Sequence, residues 1–166
     1  QVDAQIKAHK PARIVSLLDP DTPFPHTGYA ERHLRIAVHD VEADAPGWMA
    51  PDPSHVERLL HFVFEWDGRG PLLIHCHAGI SRSTASAFIT ACARNPHMRE
   101  GDILADLHAA SPTARPNGRL VRMADDLLGR DGRMLRALEQ AGAELDWTGA
   151  PEAVPFAVPS QYGLSP

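Results

Sequence analysis

Residues 72–84 read LLIHCHAGISRST, and the interpretation of the whole chain depends on this stretch. It begins as an apolar run that predicts a buried β-strand, continues as a short loop and enters an alanine-rich helix. The loop holds one cysteine and one arginine, Cys76 and Arg82, with five residues between them. That spacing lets the backbone curl around a tetrahedral anion, with the thiol at the base and the guanidinium on the far side. The stretch therefore predicts an anion-binding loop that carries a nucleophile.

The residue types in this loop suit that chemistry. Backbone N–H groups at a helix N-terminus point toward a common centre and carry partial positive charge. Gly79 allows a backbone conformation that a Cβ atom would obstruct, and the planar guanidinium of Arg82 matches two phosphate oxygens. Because the same positive field favours a cysteine in its thiolate form, one loop could bind a phosphate dianion and activate Cys76 to attack it.

Hydrophobic patterns along the chain predict an α/β fold with a small, mostly parallel central sheet and helices on both faces. We expect the strand before Cys76 to be central, because it is apolar throughout. Ser54 is the expected N-cap of the second helix, and Asn117 that of a later one. The predicted strands are 13–18, 33–38 and 71–75, and the predicted helices are 1–9, 55–66, 81–93, 99–110, 118–128 and 133–141.

An acidic residue follows the second predicted strand. Asp40 comes just after the strand at 33–38, and Cys76 comes just after the third strand. In sheets of this kind, ligands bind outside the carboxyl ends of the strands. Both residues are therefore expected at the same edge of the sheet, which is independent support for a site there.

Composition limits the classes of function. The chain has 166 residues and a net charge of −5. A net negative charge does not favour binding to nucleic acid or to an anionic membrane. No apolar run approaches the roughly 18–20 residues that span a bilayer. Two cysteines do not make a disulfide framework, so we expect a reducing, cytoplasmic setting. We also expect a monomer. The chain divides into one domain at 1–145 and a proline-rich, extended tail at 146–166.

The segment from His75 to Ser83 resembles the HCxxGxxRS signature of the cysteine-dependent protein tyrosine phosphatases, and particularly the compact dual-specificity type and its bacterial members. The resemblance covers roughly residues 11–140 and implies the protein tyrosine phosphatase fold. Pro116-Asn117 resembles a further element of that type, and Asp40 lies where the type keeps its general acid. In this family the sheet normally has one more strand, before the elements that correspond to the predicted helix 1–9 and strand 13–18. We therefore expect a strand that precedes Gln1.

The resemblance implies a two-step hydrolysis without a metal or other cofactor. Cys76 would attack phosphorus and form a phosphocysteine, while Asp40 would protonate the leaving oxygen and later activate water. Ser83 would hydrogen-bond the sulfur, His75 would orient the loop and Asn117 would brace it from outside. The phosphate, or a sulfate in its place, would be held by the loop residues His77, Ala78, Gly79, Ile80, Ser81 and Arg82.

Alternatives remain open for the acid and for the activity. The interval between Asp40 and Cys76 is a few residues longer than usual for the compact enzymes, and Asp44 would restore the shorter interval. The expected substrates are phosphotyrosine proteins, phosphoserine or phosphothreonine proteins, or small phosphomonoesters. Phosphoinositides rank lower, because the loop has no lysine. A catalytically weak phospho-binding module and an enzyme of sulfur transfer or arsenate reduction are the competing functions. Cys92, in an apolar helix, is expected to be a core residue rather than a redox partner of Cys76.

Overall fold

The computed structural model describes residues 2–29, 32–142 and 153–163. It contains a three-stranded sheet and six helices, which confirms the predicted α/β class with a small parallel sheet. The elements in chain order are α1 (Val2–His9), β1 (Arg13–Leu18), β2 (His33–Ala37), α2 (Pro53–Phe64), β3 (Leu72–His75), α3 (Arg82–Arg94), α4 (Glu100–Ala110), α5 (Gly118–Leu127) and α6 (Arg133–Gly142).

The strand order is β2-β1-β3, and both pairings are parallel. β1 is therefore central, and the prediction that β3 would be central is wrong. The burial of the strands agrees with this order, because five of the six β1 residues are buried whereas all four β3 residues are only half-buried. Leu72 and Ile74 of β3 pack against the core, and the apolar residues of this strand also border a cavity of about 900 Å³, together with α1, loop residues 22–25 and tail residues 153–160. The described residues include no strand on the outer edge of β3.

The main core lies between one face of the sheet and the helices. Val15 and Leu17 of β1 point into it, and α3 crosses behind them against β1 and β3. Side chains alternate between the two faces of a strand, so Ile14, Ser16 and Leu18 point to the opposite face. The fully buried helical residues of the core include Val56, Leu59, Val63, Ala85, Phe88, Ile89, Cys92, Leu120, Val121 and Ala124.

The start of α2 differs from the prediction. Asp52, not Ser54, is the N-cap, and its Oδ1 accepts a hydrogen bond of 2.8 Å from the Ser54 N–H. The helix then begins at Pro53, which fits the first helical position because proline lacks the N–H that would be unpaired there. His55 closes a reciprocal capping box by accepting a hydrogen bond from the Asp52 N–H at 3.1 Å. The hydroxyl of Ser54 donates to the same Oδ1, so the prediction missed the cap by two residues.

The tail lies on the core where it is described. Residues 153–163 form no helix or strand, and Phe156, Val158 and Tyr162 pack against the core. The amide of Asn95, at the end of α3, donates to the Ser160 carbonyl at 3.1 Å and accepts from the Tyr162 N–H at 2.8 Å. Residues 146–152 and 164–166 of the predicted tail lie outside the described residues. None of the described helices is long and apolar enough to cross a membrane.

Candidate active site

Three functional side chains follow the carboxyl ends of the three parallel strands. Asp19 follows β1, Asp40 lies three residues after β2, and Cys76 follows β3 directly. Parallel register brings these ends to one edge of the sheet. Arg82, the first residue of α3, reaches toward the same edge and contacts both carboxylates. The structure therefore brings the predicted residues Asp40, Cys76 and Arg82 to one edge of the sheet and adds a second acidic residue, Asp19.

The thiol of Cys76 lies at the base of the nucleophile loop, which comprises Cys76 to Arg82. It is 8% exposed, and its Sγ is 3.2 Å from the Oγ of Ser83. Ser83 can thus donate a hydrogen bond to the sulfur, as the sequence resemblance implied. Gly79 has a φ of 76°, the left-handed region that side chains other than glycine rarely adopt. The predicted role of Gly79 in turning the loop agrees with this conformation.

The guanidinium of Arg82 is buried and held on one side only. Its Nη1 donates to Asp19 Oδ1 at 2.7 Å and to the Val38 carbonyl at 2.6 Å. Within the described part of the chain, the buried Nε has no hydrogen-bond partner. A buried donor without a partner is costly. Nε lies 3.9 Å from Asp40 Oδ2, which is an ion-pair contact but too far for a hydrogen bond, so an anion bound on this side would satisfy the donor.

Asp40 is fixed beside the nucleophile loop by two donors. Its Oδ1 accepts from Ser81 Oγ at 2.6 Å and from Asn117 Nδ2 at 3.0 Å, while its Oδ2 is 3.9 Å from Arg82 Nε. Since both donors point at Oδ1, a proton on this carboxyl group belongs on Oδ2, which is the oxygen nearer the guanidinium. The geometry is that of a side chain which could deliver a proton to an anion held by Arg82.

Asp44 lies in a different environment. Its Oδ1 forms an ion pair of 2.8 Å with Arg119 Nη2 on α5, and its side chain is 86% exposed. Arg119 also donates from Nε to the Pro51 carbonyl at 2.6 Å, so this pair ties the connection after β2 to α5. Among the contacts of the described residues, Asp40 and not Asp44 touches the nucleophile loop and its arginine.

Asn117 joins the acid, the loop and α5. It is 1% exposed and is the N-cap of α5, as predicted, because its Oδ1 accepts from the Leu120 N–H at 3.1 Å. Its Nδ2 donates to Asp40, and its backbone N–H donates to the Ser81 carbonyl at 3.4 Å. Two residues earlier, the Arg115 N–H donates to the Ile80 carbonyl at 2.8 Å. The segment that precedes α5 thus contacts the loop from outside.

The other predicted loop residues lie at the mouth of the site. His77 and Ala78 are exposed and border the cavity next to β3, whereas Ile80 and Ser81 are half-buried. The Nδ1 of His75 is 3.4 Å from the Cys76 carbonyl, so the histidine contacts the first peptide of the loop. Burial lowers the pKa of His75, and this favours a neutral ring.

Cys92 is a buried thiol that is not part of the candidate site. It is fully buried in α3, and burial raises its pKa to about 12. Such a thiol is a poor nucleophile, because only the thiolate attacks. Both cysteines are free. Within the described residues, no group of three or more His, Cys, Asp or Glu side chains is arranged to hold a metal ion.

Asp19 is a site residue that the sequence patterns did not single out. It opens a proline-rich segment that predicts a loop, yet it ends a buried strand in the same way that Asp40 follows the next one. An acidic residue at the carboxyl end of each of two neighbouring parallel strands was the available signal. What could not be predicted is its ion pair with Arg82, which depends on the order of the strands.

The architecture is that of the protein tyrosine phosphatase superfamily, and the solved structures that match include dual-specificity phosphatases. Human DUSP28 matches with a TM-score of 0.58 at 19% identity, over 77% of this chain and 81% of that chain. DUSP15 matches with a TM-score of 0.53 at 26% identity, over 82% and 83%. The human tyrosine phosphatase-like serine/threonine/tyrosine-interacting protein matches with a TM-score of 0.58 at 18% identity, over 77% and 83%. No protein-family model matches the sequence, and no curated protein matches it. The fold implied by the sequence resemblance is thereby confirmed.

Proposed function

We propose that this protein is a cysteine-dependent phosphomonoester hydrolase that acts on phosphotyrosine, and also on phosphoserine or phosphothreonine, in proteins. The observation that carries the proposal is the buried Nε of Arg82, which has no hydrogen-bond partner among the described residues and lies 3.9 Å from the Oδ2 of Asp40. A phosphate there would meet a guanidinium donor, the loop amides at the start of α3 and a thiol at hydrogen-bond distance from a serine.

The proposed reaction has two steps. The Cys76 thiolate attacks phosphorus and forms an S–P bond, and the P–O bond to the leaving group breaks. Asp40 gives its proton to the leaving oxygen, and its carboxylate then takes a proton from the water that attacks the phosphocysteine. This second step releases inorganic phosphate and the thiolate, which Ser83 stabilises by donating a hydrogen bond. Arg82 and the loop amides hold the three equatorial oxygens, over which the transition-state charge is spread.

Hydrolysis of p-nitrophenyl phosphate tests the proposal. We expect turnover that vanadate inhibits and that a chelator leaves unchanged. In a second assay, with a panel of phosphopeptides and phosphoinositides, we expect phosphotyrosyl peptides to be hydrolysed faster than phosphoseryl peptides. A sulfur-transfer enzyme would instead consume thiosulfate in the presence of cyanide, and an arsenate reductase would consume arsenate in the presence of a thiol. If the protein binds phosphopeptides but hydrolyses none of them, the proposed hydrolase activity is contradicted. The alternative function as a phospho-binding module would then remain.

Asp19 gives a sharper prediction. Asp19→Ala should lower kcat/KM for an aryl phosphate about tenfold, which matches the ~1.5 kcal/mol expected for one hydrogen bond to a charged group. Asp19→Asn should lose less, because its amide oxygen can still accept from Arg82 Nη1. Asp21→Ala is the matched control, since Asp21 is an exposed carboxylate two residues further along the same loop. Equal effects of Asp19→Ala and Asp21→Ala would mean that only the long-range charge matters and that Asp19 does not orient Arg82.

A further inference from the structure

Three polar side chains, one from each strand, meet on the face of the sheet opposite the main core. The Oγ of Ser16 in β1 is 2.7 Å from His33 Nε2 in β2 and 2.5 Å from His75 Nε2 in β3. Ser16 is fully buried and His33 is 7% exposed. Buried polar groups on a strand are retained only when they are paired. Here Ser16 is paired with both histidines, so the hydrogen bonds cross the width of the sheet.

The chain of hydrogen bonds extends at both ends. Beyond His33, its Nδ1 is 3.2 Å from Thr27 Oγ1, which accepts from the Tyr29 N–H at 3.3 Å. Beyond His75, its Nδ1 is 3.4 Å from the Cys76 carbonyl. One end of the chain is therefore a backbone N–H, which can only donate, and the other end is a carbonyl, which can only accept.

With both rings neutral, the carbonyl end fixes the direction of every bond in the chain, because His75 Nδ1 must donate to it. Each hydroxyl has one proton to donate, and each neutral imidazole has one N–H and one acceptor nitrogen. Thr27 then donates to His33 Nδ1, His33 Nε2–H donates to Ser16, Ser16 donates to His75 Nε2, and His75 Nδ1–H donates to the Cys76 carbonyl. His33 is thereby the Nε2–H tautomer and His75 the Nδ1–H tautomer.

Both rings are neutral in this arrangement. A second proton on His75 would reverse the chain, because Ser16 would then accept from His75 and donate to His33, which would become the Nδ1–H tautomer. The charges around the rings agree: burial, then the positive charge of Arg35 and then His75 lower the pKa of His33 to about 4, and burial lowers that of His75. Both histidines are hence uncharged at neutral pH.

We propose that Ser16 and His33 are positioning residues for the nucleophile loop, acting through His75. The inference rests on the proposed phosphatase function. Holding the Cys76 carbonyl toward His75 orients the first peptide plane of the loop. In a trans peptide the next N–H points away from that carbonyl, so the His77 N–H is directed to the opposite side, where the loop encloses the anion. The sheet thus sets the orientation of one amide that binds phosphate.

Steady-state kinetics of four variants tests the effect. Ser16→Ala and His33→Leu break the chain and should lower kcat by up to about 100-fold, the cost of a misplacement near 1 Å, with a smaller change in KM. His33→Gln should recover most of the activity, because its side-chain amide can donate to Ser16 as Nε2–H does. Thr90→Val is the control, since it removes another buried hydroxyl whose Oγ1 has no partner in the described part of the chain.

Imidazole ¹⁵N spectra of the wild-type protein test the direction of the chain without any assay of turnover. We expect His33 as the Nε2–H tautomer and His75 as the Nδ1–H tautomer at pH 7, with an Nε2–H population of His75 appearing in Ser16→Ala. A wild-type His75 that is protonated or in the Nε2–H form overturns the proposal, and so does a Ser16→Ala variant with kcat within twofold of wild type.

A titration with inorganic phosphate separates this proposal from the proposed function. The His77 amide signal should shift on binding in the wild type, and Ser16→Ala should bind phosphate more weakly than Thr90→Val. Phosphate binding can be compared even if the wild-type protein shows no turnover. Absence of turnover would contradict the proposed hydrolase function but not the positioning role. Equal phosphate affinities of Ser16→Ala and Thr90→Val would overturn the positioning role.

Discussion

Cys76→Ser is expected to abolish the hydrolysis of an aryl phosphate while the variant still binds phosphotyrosyl peptide. The loss should be on the order of 10⁴- to 10⁶-fold, as for the removal of other catalytic nucleophiles. Binding should survive, because Arg82 and the loop amides hold the phosphate and are unchanged by the substitution. Turnover of p-nitrophenyl phosphate and peptide titration by fluorescence anisotropy measure the two effects separately.

Cys92→Ala is the matched control for this experiment. Cys92 is fully buried against the core, so truncation of its thiol should lower the thermal unfolding temperature. Its pKa is raised to about 12, and it lies outside the nucleophile loop, so kcat should stay within about twofold of wild type. Cys76→Ser should show the reverse pattern, with little change in unfolding temperature. Residual turnover in Cys76→Ser, or lost turnover in Cys92→Ala, would contradict the assignment of the nucleophile.

The strands are predictable from the sequence because their signals are local. The predicted bounds of β1 match the observed ones, and those of β2 and β3 agree within one residue. Each strand is a short apolar or alternating run with polar residues, Gly or Pro at its ends. The order of the strands is not a local property. The apolar run of β3 predicts a central strand, but β3 lies at the end of the described sheet, where its apolar residues pack on the core and border the cavity. An apolar run alone does not distinguish a neighbouring strand from such a cavity.

The candidate site is predictable where one motif contains all its members. Cys76, Gly79, Arg82 and Ser83 lie within eight residues, so the sequence alone is enough to propose the loop. Asp19 and the Ser16–His33 pair are not predictable in this way, because their partners come from other strands. The contact of Ser16 with His33 and His75 requires the parallel register that pairs Ser16 with His75 on one side and Arg35 on the other. Nothing in the local sequence of a buried serine indicates that register.

The acid of the reaction is the second large effect. Asp40→Asn should lower kcat by roughly 10²- to 10⁴-fold, the range that general acid–base catalysis supplies. The asparagine keeps an oxygen at Oδ1, which can still accept from Ser81 and Asn117, so the neighbouring loop stays anchored. The substitution removes the proton that Oδ2 would deliver, together with the negative charge 3.9 Å from Arg82 Nε. The loss in kcat should therefore not be accompanied by a fall in the unfolding temperature.

Asp44→Asn is the control that decides between the two acids. It breaks an exposed ion pair with Arg119, which contributes about 0–1 kcal/mol to stability, and kcat should stay within about twofold of wild type. A series of aryl phosphates adds a chemical criterion. The fold loss in kcat of Asp40→Asn should grow as the leaving phenol becomes more basic, because a more basic leaving group depends more on protonation. If Asp44→Asn instead shows the deficit that depends on the leaving group, the acid is Asp44, and Asp40 serves only to anchor Ser81 and Asn117.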